Sequence, residues 1–183
     1  NYTMAICNPT GSLSVTIREE IRLPNGNMEQ SINTEVITDV NQIMKRTDTI
    51  APTFSGSGIE ILRFVDSEEQ QTAGSFVRDT VKYMRFTNLC STNFVSLYLI
   101  QDSPEAQNPN TGNVGSGDES LFKLDAGKSM VFSNAQFQGT DYYDYVVEGY
   151  VDIQYFSSFA SLSSIKAKAD TANVQIEYFV ASS

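Results

Sequence analysis

The stretch Asp79-Thr80-Val81-Lys82-Tyr83-Met84-Arg85-Phe86-Thr87-Asn88-Leu89-Cys90-Ser91-Thr92-Asn93-Phe94-Val95-Ser96-Leu97-Tyr98-Leu99-Ile100-Gln101 decides the fold. It reads as two paired strands around a polar turn. Successive side chains of a strand point to opposite faces. Val81, Tyr83 and Arg85 therefore share one face, and Lys82, Met84 and Phe86 the other. Thr87-Asn88 and Ser91-Thr92-Asn93 supply side chains that hydrogen-bond local backbone in turns. Phe94 to Ile100 is apolar on both faces apart from Ser96 and the Tyr98 hydroxyl, which predicts a strand covered on both sides.

The same period of two recurs downstream. Ile165 to Ala169 and Ala172 to Val180 read as a closing hairpin around Asp170-Thr171. In it Val174, Ile176, Tyr178 and Val180 share a buried face. Leu121 to Leu124 and Met130 to Phe132 read as short strands around Asp125-Ala126-Gly127-Lys128. Upstream, Ile59 to Val65 is a strand with Ile59 and Ile61 on one face and Leu62 and Phe64 on the other. Thr47 to Phe54 is β-like, with Pro52 marking an edge or strand end. Ser55-Gly56-Ser57-Gly58 is a tight connection.

At the N-terminus, Asn8-Pro9-Thr10-Gly11 is a turn. Leu13, Val15 and Ile17 alternate with Ser14, Thr16 and Arg18, as in a strand with one wet face. Pro24-Asn25-Gly26-Asn27 is a strong turn signal because Asn-Gly suits positive φ. It predicts a hairpin whose return arm carries Met28 and Ile32. Glu35 to Arg46 has helical spacing in Val36, Val40, Ile43 and Met44 but is rich in Val, Ile and Thr, and is read as extended. Asp66 to Gly74 and the Pro-, Asn- and Gly-rich Asp102 to Glu119 read as loops.

Many short strands with regularly spaced turns predict an all-β chain, a β-sandwich or jelly-roll-like domain with long loops. The chain has 183 residues, enough to bury roughly 70% of its unfolded surface without metals or disulfides. The expected organisation is one β domain, with an N-terminal hairpin or arm over about residues 1–54 and a sandwich core over about residues 55–183. Net charge is −10 and the sequence pI is about 4.3. That disfavours nucleic acid and anionic membrane, both of which need a basic surface, and suits solubility or a basic protein partner. No apolar run is long enough to span a bilayer as a helix. Cys7 and Cys90 could form one bridge but make no disulfide framework, and the expected state is reduced.

Catalytic chemistry is sparse. The chain contains no histidine, which removes Ser-His-Asp triads and most zinc sites. Gly127-Lys128-Ser129 resembles the end of a phosphate-binding loop, but Phe122 stands where its first glycine belongs. Acidic pairs such as Asp118-Glu119 and Asp141 with Asp144 read as solvated loop acids rather than the two carboxyls of a glycosidase cleft or a calcium loop. No cofactor or metal is implied. The segment Asp141 to Phe156 is dense in tyrosine and acid. Tyr142, Tyr143, Tyr145 and Tyr150 are candidate partner contacts, for a protein or for stacked sugar rings; alternatively they pack a core of their own.

The second half resembles small structural proteins of tailed bacteriophages, marine and cyanobacterial phages among them. The resemblance rests on Arg85-Phe86-Thr87-Asn88-Leu89-Cys90-Ser91-Thr92-Asn93-Phe94-Val95, on Phe122 to Ser129 with its Leu124 and Ala126-Gly127-Lys128-Ser129, and on Ile165 to Tyr178. It covers the chain from about Ser55 onward, and its motifs are structural rather than catalytic. The long loop from Asp102 and the tyrosine-rich Asp141 to Phe156 depart from the short versions. The resemblance implies a non-enzymatic virion protein, assembled in the host cytoplasm as a homo-oligomer. Its implied partners are the major capsid protein or other virion proteins. A head decoration or cement protein is the leading expectation, a tail, neck or fibre protein the alternative, and a carbohydrate-binding module the reading from another class.

Overall fold

A computed structural model of the chain describes residues 11–52, 58–66, 74–101, 119–133, 159 and 162–183. Among these there is no α-helix, and the strands are β1 Gly11–Arg22, β2 Met28–Val40, β3 Gln42–Ile50, β4 Ile59–Val65, β5 Ser75–Val77, β6 Val81–Asn88, β7 Val95–Gln101, β8 Glu119–Leu124, β9 Ser129–Ser133, β10 Leu162–Ala169 and β11 Val174–Ser182. Glu35 to Arg46 is extended, as its β-branched content predicts. Outside the described residues lie the Asn8-Pro9-Thr10 turn, Cys7, Phe54, most of Ser55 to Gly58, most of the Asp66 to Gly74 and Asp102 to Glu119 loops, and all of Asp141 to Phe156.

One sheet runs β5-β4-β10-β7-β8 and the other β3-β11-β6-β9, while β1 and β2 pair only with each other. The inward faces of the two larger sheets meet in one apolar core. Leu62, Phe64, Leu97, Leu99 and Ile165 come from the first, and Met84, Phe86, Val174, Ile176 and Tyr178 from the second. With β5 set aside, the remaining eight strands taken in chain order fall as 1-8-3-6 in one sheet and 2-7-4-5 in the other. That is the connectivity of a jelly roll, two Greek keys folded on each other.

This topology corrects the pairings expected from sequence. Val81–Asn88 and Val95–Gln101 are both strands, but they lie in opposite sheets. So do Leu162–Ala169 and Val174–Ser182, and so do Glu119–Leu124 and Ser129–Ser133. Each of these three connections is an arch from one sheet to the other, whereas the expected hairpin around Pro24 to Asn27 is a hairpin. Alternation fixes which residues share a face and is silent on which strand pairs with which. The expected burial of Val81, Tyr83, Val174 and Ile176 holds, but the faces of Val81 and Tyr83 differ. The β6–β11 register shifts between Ala181 and Ser182, a bulge that inserts Lys82. Val81 therefore joins Met84 and Phe86 in the core, while Tyr83 faces outward. In β7, Val95, Leu97 and Leu99 are fully buried, whereas Ser96, Tyr98 and Ile100 are only half covered. β3 pairs with β11 along its whole length. The boundary between arm and sandwich thus falls at Asn41, not near residue 54.

Three arches meet at one end of the sandwich, and Asn88 ties them. Its side-chain amide donates to the carbonyls of Asn93 at 2.9 Å and Leu124 at 3.1 Å. Its Oδ1 accepts from the Cys90 N–H at 2.9 Å. Its own N–H donates to the Lys128 carbonyl at 2.9 Å, and the neighbouring Leu89 N–H donates to the Gln175 carbonyl at 2.9 Å. Asn88 is fully buried, so each of these groups would otherwise lack water as well as a partner. At the opposite face of β10, Gly58 has φ +91, and a Cβ there would come within 2.3 Å of the Ala167 carbonyl oxygen, so only glycine fits.

Replacing Asn88 by alanine strands the buried Leu124 carbonyl and two half-buried groups, the Asn93 carbonyl and the Cys90 N–H. Urea unfolding of Asn88→Ala is expected to show a loss of about 2–4 kcal/mol. A loss below about 0.5 kcal/mol, the range of surface substitutions, would show that the arches hold without it.

Candidate docking surface

β1 and β2 form a ribbon built by sequence-local chemistry. At its tip the Leu23 N–H donates to the Asn27 carbonyl at 2.9 Å and the Gly26 N–H to the Leu23 carbonyl at 3.0 Å. Gly26 has φ +85, the left-handed conformation that Asn-Gly supplies cheaply. Asn25 Oδ1 accepts from the Asn27 N–H at 3.1 Å. The register then runs unbroken from Arg22↔Met28 to Leu13↔Ile37. The twelve residues of β1 extend roughly 40 Å at the rise of a strand.

The base of the ribbon is seated on the outer face of the β3-β11-β6-β9 sheet. Ile37, Val40, Leu13 and Val15 pack against Tyr83, Ala181, Val131 and Phe179. Tyr83 and Phe179 meet edge to face with centroids 5.9 Å apart. Burial is the main cause that raises the Tyr83 pKa above that of a free phenol; Arg85 opposes it and Glu35 adds to it. Lys82 Nζ donates to the Thr38 carbonyl at 3.1 Å, the Asn41 N–H to the Ser182 carbonyl at 2.9 Å, and Ser133 Oγ to Glu35 Oε1 at 3.2 Å. At the root the register slips between Gly11 and Leu13, and Asp39 adopts φ +59. Bulges bend the strand that carries them, so the ribbon turns out of line with β3.

Beyond this seat no other described strand pairs with the ribbon. Cross-strand partners share a face. One face carries Leu13, Val15, Ile17 and Ile21 with Glu19, Glu29 and Glu35; the other carries Val36, Ile32 and Met28 with Arg18, Arg22 and Glu20. Ile17 is 45% exposed and Ile21 56% on the first face; Val36 is 60%, Ile32 61% and Met28 60% on the second. The expectation of one wet face in this strand is therefore corrected: past Val15 both faces are open. Glu20 accepts from Arg18 at 3.2 Å and from Arg22 at 2.6 Å, so two arginines share one acid on the second face. The first face has acids and no base. Among the described residues no strand pairs with the outer edges of β1 and β2, which leaves open edges of the kind that take another chain.

Tyr142, Tyr143, Tyr145 and Tyr150 lie outside the described residues. The four-residue spacing of Met28, Ile32 and Val36, and of Ile17 and Ile21, was the sequence signal for this surface: apolar side chains too sparse to build a core yet all on defined faces. Other chemistry stays scattered. Among the described residues no three of Cys, Asp or Glu come together to hold a metal, and no helix is long and apolar enough to cross a membrane. Cys90 is a free thiol. Hydrogen bonds from the backbone of Thr92, then of Asn93, and from the Thr92 hydroxyl lower its pKa to about 7. No protein-family model matches the chain, and neither the curated proteins nor the solved structures contain a match.

Tyr83→Ala removes the ring under the ribbon base. Tryptic cleavage at Arg18 and Arg22 in the native protein is expected to accelerate by at least ~10-fold as the ribbon opens locally. An unchanged cleavage rate would show that the ribbon does not depend on this seat.

Proposed function

We propose that this chain is a non-enzymatic structural protein of a phage virion, acting as a head decoration or cement protein through protein–protein contacts. The observation that carries this reading is the ribbon: a long arm with apolar side chains open on both faces, beside a sandwich whose two larger sheets pack on one apolar core. Exposed apolar patches of several hundred Å² on a soluble domain mark interaction surfaces. The arm residues 11–40 include no aromatic side chain, and sugar binding relies on aromatic platforms, so this surface suits a protein partner better than a glycan. Jelly rolls serve in viral shells and in lectins alike, so the fold agrees with the reading without deciding it. The net charge of −10 would steer the chain to basic groups on a shell. Attachment at the tail or neck follows from the same surface with a different virion partner.

The test is composition of the particle. Density-banded virions from the source phage are expected to contain the chain in fixed ratio to the major capsid protein. Its absence from banded particles would overturn the reading, and so would measured polysaccharide turnover lost on replacing one carboxylate.

A further inference from the structure

We propose that copies of this chain assemble head to tail through their ribbons, the acidic face of one arm stacked on the basic face of the next. The two faces are complementary in two respects. Ile17 and Ile21 on the first face and Val36, Ile32 and Met28 on the second repeat at intervals of four residues. That interval is about 13 Å along a strand on either face, so the two apolar ladders interdigitate when ribbons stack at the usual ~10 Å between sheets. Beside the ladders, on the partner strand or between its rungs, Glu29 and Glu19 on one face meet Arg18 and Arg22 on the other, the second pair only half neutralised by their shared Glu20.

Area decides how the copies are arranged. An overhang of about seven residue pairs, at the rise and spacing of paired strands, offers a face of roughly 25 by 10 Å, well below the roughly 800 Å² per partner of a stable pair. A two-fold pair would use the same face on both copies, set acid against acid or base against base, and leave the other ladder in water. Head-to-tail stacking uses both faces of every arm and pairs unlike charge at each contact. Such contacts are heterologous, and closing the rotation gives a ring of three or more copies. Stacking between copies and docking on a shell would compete for the same arm faces, so this inference concerns the purified chain free of any virion partner and is tested separately from the virion reading. A ring-forming protein missing from particles would sink that reading and leave this one intact.

The test is a charge-swap pair measured by light scattering after gel filtration. Wild type is expected as a discrete species of at least three copies that weakens as salt rises. Arg18→Glu/Arg22→Glu makes both faces acidic, and Glu19→Arg/Glu29→Arg makes both basic. Each alone is expected to be monomeric, with at least a 10-fold weaker association. Mixed in equal amounts they are expected to reassemble in alternation, as a closed or open species of even copy number, which damaged arms could not do. Met28→Ser/Ile32→Ser is expected to be monomeric with the sandwich melting unchanged. A monomeric wild type, as for an arm reserved for a different protein, would overturn the proposal. So would a species fixed at two copies, or a failure of the mixed variants to reassemble.

Discussion

The jelly roll depends on one buried amide. The connections β3 to β4, β5 to β6, β6 to β7, β8 to β9, β9 to β10 and β10 to β11 each leave one sheet for the other, and an arch, unlike a hairpin, has no ladder of backbone hydrogen bonds to define it. Asn88 replaces that ladder. It satisfies the carbonyls of Asn93 and Leu124 and the N–H of Cys90, and its backbone reaches Lys128. The β6–β7 and β8–β9 arches are thereby fixed to each other. The β10–β11 arch joins them where the Asp170 N–H donates to the Phe94 carbonyl at 3.3 Å and Thr171 Oγ1 to Asn93 Oδ1 at 3.4 Å. A hydrogen bond contributes about 1 kcal/mol net, but an unmade one in a buried site costs more. Asn88 thus matters chiefly because nothing else could satisfy its partners.

With the arches fixed, the sandwich closes on itself and leaves little unsatisfied. Phe86 stacks on Tyr178 and meets Phe132 edge to face, with centroids 6.3 and 6.1 Å apart. The Tyr178 hydroxyl donates to Asp48, and burial followed by that carboxylate pushes the phenol pKa upward. Asp48 is also held by Arg46 at 2.9 Å, placing charge along the edge strand β3. Charged edges discourage pairing with another sheet. On the outer face Glu177 joins Lys45 and Arg85 at 3.1 and 2.7 Å, a surface already matched to itself. The ribbon is the contrast: its base is packed, and its outer half has no third strand among the described residues and leaves Ile17, Ile21, Met28, Ile32 and Val36 exposed. A two-stranded ribbon is marginal in water by itself, so the arm has most to gain from a neighbour.

Much of this was legible in the residues. The Pro24-Asn25-Gly26-Asn27 turn placed the arm's tip, and the alternation of Val174, Ile176, Tyr178 and Val180 placed the core face of β11. The pairing of strands was not legible, because an apolar face closes equally well against a hairpin partner or across a sandwich. Asn88 looked like ordinary turn chemistry; only the three-dimensional meeting of Asn93, Leu124 and Lys128 shows its wider part. The shift of Val81 into the core depends on a bulge at Lys82, which no local residue announces. The alternation of Leu13, Val15 and Ile17 reads as a strand with one covered face, since sequence cannot show that the sheet beneath the arm ends at β9, with Val131.

The central claim is a division between a closed sandwich and an open arm, and amide hydrogen exchange of the native chain at high dilution tests it most directly. Amides of β6, β7, β10 and β11 are expected to exchange only through global unfolding, while those of residues 17–32 exchange by local opening, at least ~100-fold faster. Arm amides protected to the same degree as those of β11 would contradict the account, because the ribbon would then be part of the cooperative core.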